Sequence, residues 1–350
     1  MSRIQNDRGL RRAHSDYVGG SPRKLSRDAW KLVFRLTFRG FITHGLIDMA
    51  ASLTYYGVLA LAPSLVALVS LGATFGDGRK SADALLASIQ TVAPGSALTL
   101  LRAPLEKFGD SPAVGYALIG GLAVAIWATS SFVAAFGRSL NRIYEIPEGR
   151  PIWKLKPFQI LVALVVIVLV LITITVLVLS GPVTAGLGQA LNIGQTPVIL
   201  WSILKWPLLV AAVALAVAIL YYATPNVRQP RFRWISGGAL LTVIVLTAAS
   251  VLFAVYAKDF AHYDNTYRSF AGIVIILVWL WIVNLTLVFG AEFDAQVERA
   301  RELEAGVPAE RKIQLEPRNT EASDRAARSR ERSIRDGERL RRRHDEGSTP

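Results

Sequence analysis

From Phe158 to Ser180 the chain runs for twenty-three residues without a charged side chain. At about 1.5 Å of rise per residue, a helix of that length covers about 35 Å, more than the roughly 30 Å hydrocarbon core of a bilayer. The Val, Ile and Thr it contains would suit a strand in water. Buried strands rarely run much past about ten residues, however, so length selects a spanning helix. Five more apolar blocks accompany it, and the expected spans are Leu46 to Phe75, Val114 to Phe136, Phe158 to Ser180, Val198 to Ala223, Trp234 to Ala257 and Ala271 to Phe293. The fold class expected is an all-α polytopic membrane protein with six transmembrane helices.

Cations orient those spans. Ten Lys and Arg residues precede the first, from Arg3 to Arg39; Arg138, Arg142, Arg150, Lys154 and Lys156 follow the second; Arg228, Arg231 and Arg233 follow the fourth; and the C-terminal tail is full of arginine. The intervening connections are poorer: the long first one has Arg79, Lys80, Arg102 and Lys107, the one from Gly181 to Pro197 has none, and the last has Lys258 and Arg268 beside Asp259 and Asp264. Such alternation places both the N- and C-termini in the cytoplasm. The chain then divides into a basic cytoplasmic segment over 1–45, a six-helix transmembrane domain over 46–297 and a charged cytoplasmic tail over 298–350.

A formal net charge of +13 and a pI near 10.2 would by themselves point to nucleic acid. Beside six apolar blocks, an excess gathered largely at the two ends reads instead as flanks held against anionic lipid. The bilayer and its anionic headgroups are therefore the expected partners, and nucleic acid is not. Cysteine is absent, which removes disulfides and thiolate chemistry. No cleavable signal peptide is expected in the polar, basic first forty residues, so the first span would act as the insertion signal.

Two flanking pieces are amphipathic. Between Asp28 and His44, Lys31, Arg35 and Arg39 recur every four residues, while Trp30, Phe34, Phe38 and Phe41 gather on another side, a pattern suited to the headgroup layer. In the first outer loop, Ala82 to Val92 and Ser96 to Phe108 space leucines as two short helices around Pro94-Gly95. The tail from Glu310 has almost no large apolar residue and is expected to be disordered, with transient helix through pairs such as Glu331 and Arg335.

Catalytic constellations are scarce. His14, His44, His262 and His344 are dispersed, without the clustered ligands a metal site wants, and no Walker-type glycine loop occurs. No catalytic residue, metal ligand or cofactor is assigned. Polar groups at membrane depth carry more information, since each is costly in lipid and should face the bundle interior or water. Asp48, Ser52 and Tyr55 share one helical face of the first span. Lys205 sits inside the outer boundary of the fourth, beside Trp201, Trp206 and Pro207, where snorkelling is the competing reading. The last span carries Asn284, then Glu292 and Asp294 near its cytoplasmic end, where pairing with Arg138 or Arg142 competes with a polar pathway. A short echo joins Phe136-Gly137-Arg138-Ser139-Leu140-Asn141 to Phe289-Gly290-Ala291-Glu292-Phe293-Asp294, which adds Asn141 to the candidates.

Four stretches in order carry a resemblance: MAASLTYYGVLALAPSLVAL from Met49, WATSSFVAAFGRSLNRIY from Trp127, PNVRQPRFRWISGGA from Pro225, and NTYRSFAGIVIILVWLWIVNLTLVFGAEFD from Asn265. Over roughly Trp30 to Arg299 the chain resembles the YihY/BrkB family of bacterial inner-membrane proteins. It departs from the pattern at Arg268, where a glycine is expected, and at Asp294, where an asparagine is expected. The resemblance implies six helices and a bacterial plasma-membrane location. It also implies an old ribonuclease label widely regarded as a misassignment, and looser associations with virulence and envelope integrity.

Three functions compete. The first is a transporter-like role moving a lipid, a lipid-linked precursor or another amphiphile of the envelope, suggested by intramembrane polar groups, by Pro63 and Pro207, and by small-residue packing at Ala50-Ala51-Ser52. The second is a scaffold for envelope integrity, binding partners through its basic flanks; deleting residues beyond Glu304 should then abolish function and leave the membrane core stable. The third, a membrane-bound ribonuclease, is least favoured, because only Glu292 and Asp294 approach the carboxylate clustering that metal-assisted hydrolysis needs.

Overall fold

The structure is a computed structural model, and it describes residues 25–75, 114–178, 195–228, 236–259 and 268–347. Among these residues it is all-helical, with eight helices and a single isolated antiparallel bridge between Val227 and Pro317. The helices are α1 (Arg27–Thr43), α2 (Leu46–Phe75), α3 (Val114–Ile143), α4 (Ile152–Val178), α5 (Gln195–Ala223), α6 (Gly237–Asp259), α7 (Arg268–Glu304) and α8 (Glu321–Gly347). Within the described residues the six apolar blocks fall on α2 to α7. Within the described residues, α3, α4, α5 and α7 are long and apolar enough to cross a membrane; α2 and α6 contribute the shorter apolar stretches Leu46–Leu61 and Gly237–Phe253. The helices expected over 82–92 and 96–108 lie outside the described residues.

The apolar helices close a ring. α2 packs on α3, α3 on α4, α4 on α5, α5 on α6, α6 on α7, and α7 returns to α2, while α3 also reaches α5 and α7. Outward faces stay apolar: Leu161, Val168, Leu200, Ile203 and Leu252 are each more than half exposed. So much uncovered hydrocarbon is unstable against water and is what a lipid-facing surface requires. The tight core sits toward the cation-rich end, around Phe136, which stacks on Tyr221 with ring centroids 6.1 Å apart. Close backbone approach there depends on glycine. A Cβ on Gly238 would fall on the Gly290 carbonyl, and one on Gly290 would strike Thr242 and Tyr221, so the approach of α6 to α7 leaves no room for a side chain at either position.

Several helices outrun the apolar blocks. α3 continues seven residues past Phe136, α4 begins six before Phe158, and α7 extends eleven past Phe293, each at the cation-rich end. Hydropathy reads the solvent a segment prefers; the helix itself persists wherever its backbone bonds and side packing continue.

Two expectations are corrected here. First, α1 is not merely an amphipathic surface segment. A seam of Ala29, Val33, Thr37 and Gly40 is buried against α7, while the aromatic row Trp30, Phe34 and Phe38 and the basic row Lys31, Arg35 and Arg39 stay exposed on either side. Ser26 caps α1, its Oγ accepting the Ala29 N–H at 3.1 Å, and its own N–H donates to Glu304 at the end of α7. Second, the tail is ordered. α7 stops at Gly306, whose φ of +82° lets Val307 N–H reach back to the Glu302 carbonyl. Val307, Ala309, Ile313 and Leu315 are then buried, and residues 321–347 form α8, including the Glu331–Arg335 pair at 3.4 Å. Composition judged this stretch unable to form its own core; residues 307–320 instead lie on a surface the bundle provides, and α8 beyond them is exposed.

Candidate functional site

At the cation-rich end, the connection after α3, the end of α5 and the tail meet on one buried side chain, Asn226. Its Nδ2 donates to the carbonyls of Pro147 at 3.0 Å and Asn319 at 2.8 Å, its Oδ1 accepts the Asn319 N–H at 3.1 Å, and its own N–H donates to Asn141 Oδ1 at 2.7 Å. Arg318 extends the strap: its Nε donates to the Val227 carbonyl at 2.8 Å, its Nη2 to the Tyr222 carbonyl at 2.6 Å, and its guanidinium lies 4.9 Å over the Tyr222 ring. Gly149 admits the tail, since a Cβ there would fall on the Asn319 carbonyl.

Beside this hub is a cavity of about 160 Å³ between α3, α4 and the end of α5, walled by Gly137 and Arg138, Glu148 and Arg150, Phe158 and Gln159, and Thr224. Arg150 grips Glu148 through Nε and Nη2, both at 2.8 Å, and Nη2 also donates to the Thr224 carbonyl at 2.7 Å. Burial pushes the Glu148 carboxyl up, but hydrogen bonds from Arg150 and Asn141 outweigh it and hold the group below its ordinary value. Arg138 is exposed, lies 6.0 Å over the Tyr56 ring and makes no ion pair among the described residues. Gln159 is 8% exposed, and its Oε1 has no hydrogen-bond partner among the described residues. Such an orphan acceptor ordinarily costs about 1–3 kcal/mol.

A second polar centre joins α1 to α7. The carboxylate of Glu292, fully buried, accepts from Gln296 Nε2 at 2.8 Å and meets His44 Nδ1 at 2.8 Å. Gly40 makes room for it, because a Cβ there would overlap the carboxylate. The hydrogen bond to Glu292 lifts the His44 pKa above its ordinary value against the opposing effect of burial, with the charges of Glu292 and Glu145 adding to the rise. Asp294, two residues on, serves a different element: it accepts from Ser236 Oγ and, at 2.6 Å, from the Gly238 N–H, capping the start of α6. The expected pairing of Glu292 and Asp294 with Arg138 or Arg142 is therefore not made; His44 and the α6 N-terminus take those places.

Among the eight residues singled out from sequence, no hydrogen bond or ion pair joins any two. Asn141 is buried and supports the hub, donating to Glu148 at 3.0 Å. Asn284 is buried and donates to the Leu280 carbonyl at 2.9 Å and to Thr54 Oγ1 at 3.3 Å. Asp48, Ser52 and Tyr55 do share a face of α2, and that face is exposed. Lys205 is half-buried with its ammonium 5.5 Å over Trp206, roughly 28 Å along α5 from Thr224.

Sequence reasoning missed Asn226, Arg318, His44, Gly40 and Gln159. A polar asparagine straight after Tyr-Tyr-Ala-Thr-Pro was a usable signal for Asn226; His44 needed its distant partner. The echo between α3 and α7 has structural content. Gly137 brings a backbone to the Thr224 carbonyl as Gly290 brings one to Gly238, and four residues on, Asn141 and Asp294 each accept a backbone N–H of the neighbouring segment.

Comparison with known proteins places the chain. The family model described as Virulence factor BrkB matches residues 37–314. A Bacillus subtilis protein named putative ribonuclease-like protein YfkH is 24% identical over 266 residues, 76% of this chain and 95% of that protein. UPF0761 membrane proteins of Nitrosospira multiformis and Chromobacterium violaceum are each 27% identical, over 75% and 71% of this chain. The chain spans 59% and 58% of the length of those two relatives. No solved structure matches it. With a family match covering most of its length and a ring of apolar helices, this chain belongs to the Virulence factor BrkB family of membrane proteins.

Proposed function

We propose that the protein crosses the bacterial plasma membrane six times with both termini in the cytoplasm, and that it handles an envelope amphiphile in a transporter-like way without being an enzyme. The observation that carries this reading is the cavity at the cation-rich, hence cytoplasmic, end: a polar, positively charged wall of Arg138, Arg150 and Gln159 set against Phe158 and Leu155. That mixture suits a molecule with a charged head and an apolar body. The row Trp30, Phe34 and Phe38 beside Lys31, Arg35 and Arg39 suits α1 to the cytoplasmic headgroup layer. Against a hydrolytic role stands the employment of both candidate carboxylates, Glu292 by His44 and Gln296, Asp294 by Ser236 and Gly238.

Reconstitution tests the activity: purified protein in vesicles should move a labelled phospholipid or lipid-linked precursor faster than protein-free vesicles, and equal rates would end the transporter reading. Reporter fusions test the topology, with the 181–197 connection expected outside and both ends inside. The scaffold reading keeps one specific support, the exposed arginine-rich α8. Loss of envelope function on removing residues 321–350, with vesicle transport intact, would favour it.

A further inference from the structure

We propose that the cavity between α3, α4 and α5 binds an anionic phosphodiester whose headgroup carries a hydroxyl, the phosphate on Arg138 and the hydroxyl donating to Gln159 Oε1. This deepens the amphiphile reading and rests on it for the source of the ligand, not for its chemistry.

Charge comes first. Arg138 and Arg150 are two cations, and Glu148 cancels one through its double contact with Arg150 at 2.8 Å. One positive charge remains on the wall, and it belongs to Arg138, which has no carboxylate among the described residues. A monoanion balances it; a zwitterion leaves it uncompensated and would bring its own ammonium against two guanidinium groups. Guanidinium is the side chain best shaped for a phosphate oxygen pair.

Polar satisfaction comes second. Gln159 is more than nine-tenths buried, lines the cavity, and its Oε1 has no partner among the described residues. An acceptor of this kind is completed only by an O–H or N–H donor. A hydroxyl supplies that donor without adding positive charge to the already cationic wall.

Size and depth come third. A volume of about 160 Å³ is close to that of the engineered ~150 Å³ protein cavity that admits benzene. It is below the roughly 300 Å³ at which drug-sized pockets begin, so a headgroup fits and a whole lipid does not. Gln159 stands seven residues from the start of α4, roughly 10 Å along the helix. On the proposed topology that depth matches the boundary between headgroups and acyl chains, and the exposed apolar side chains of α4 leave the tails in lipid.

The test uses the full-length protein, delipidated in detergent and titrated with short-chain phosphatidylglycerol and, separately, with phosphatidylcholine of equal chain length, bound lipid being counted by native mass spectrometry. Both carry the phosphodiester; only the first is a net monoanion with hydroxyls. Phosphatidylglycerol should bind at least tenfold tighter, and Arg138→Gln and Gln159→Met should each erase most of that preference. Equal binding of the two lipids by the wild-type protein overturns the proposal without recourse to any variant. Wild-type preference in both variants, with unchanged melting, overturns the assignment of these residues.

Glycerophosphoglycerol, the soluble headgroup, separates the sources. Competition at concentrations near those of the lipid supports this site chemistry with a soluble ligand, and competition only at far higher concentration supports a membrane source. The two readings fail separately. Selective binding without lipid movement in vesicles keeps the site and removes transport; lipid movement indifferent to Arg138→Gln and Gln159→Met keeps transport and removes the site.

Discussion

Replacing Asn226 by alanine removes three side-chain hydrogen bonds at once, to the carbonyls of Pro147 and Asn319 and from the Asn319 N–H, at 3.0, 2.8 and 3.1 Å. Asn226 is fully buried and each bond, itself partly buried, is worth about 1 kcal/mol net, so the strap over 313–320 should lose about 3 kcal/mol. At 1.4 kcal/mol per tenfold, that is roughly a 150-fold rise in the open population. The main-chain bond from Asn226 to Asn141 survives the substitution, so α3 and α5 should stay together while the tail alone loosens. Hydrogen exchange read by mass spectrometry isolates this, because the Asn319 amide is protected by the Asn226 side chain and the Arg318 amide by the Asn226 main-chain carbonyl that the same side chain holds in place. Peptides covering 313–320 should exchange about two orders of magnitude faster in Asn226→Ala, with α3 peptides unchanged. Asn226→Asp keeps the acceptor and loses both donors, placing a carboxylate against two carbonyl oxygens, so it should be no milder. Exchange within threefold of wild type in either variant would refute the argument that this amide holds the strap.

Gly40→Ala should lower the melting midpoint in detergent. Overpacking against the Glu292 carboxylate costs typically 1–3 kcal/mol, only partly offset by about 1 kcal/mol of helix propensity. Gly57→Ala, with nothing within 4 Å, should be neutral or stabilising. Because His44 is lifted above its ordinary value, the stability it contributes is fully present below about pH 6.5 and is lost as pH rises through the folded value. A spin label on a cysteine at exposed Arg35 should therefore gain mobility toward alkaline pH, and Glu292→Gln should flatten that profile. A chain ending at Glu304 loses buried Val307, Ala309, Ile313 and Leu315 and the Arg318 contacts and should melt well below wild type, contrary to the expectation from composition. A chain ending at Thr320 should melt like the full protein.

The parts of the fold legible in sequence were those governed by solvent preference. Apolar length located α2 to α7, and for Leu46–Phe75 the expected span and the helix coincide. The exposed face holding Asp48, Ser52 and Tyr55 shows where that reasoning stops, since periodicity groups side chains on a face and leaves open what the face meets. Asn284 was found by its cost in lipid, and its burial against Thr54 follows the same cost. Glu292 was found for the same reason with the wrong partner. The sequence offered Arg138 and Arg142 as its partners, whereas the group that reaches it, His44, lies 248 residues away in the turn between α1 and α2, which no span rule includes.

Sequence by itself determined that the chain is built for lipid, how many apolar helices it offers, and the family to which its motifs belong. Transfer free energy and charge bias are sums over local composition and need no knowledge of neighbours. Tertiary structure alone decided that the tail is strapped down by Asn226 and Arg318, that α1 is latched through Gly40 and Glu292, and that Gln159 is left with an acceptor unanswered among the described residues. Hydrogen-bond satisfaction in a buried site is a property of atoms brought together from distant segments, and no window along the chain contains it.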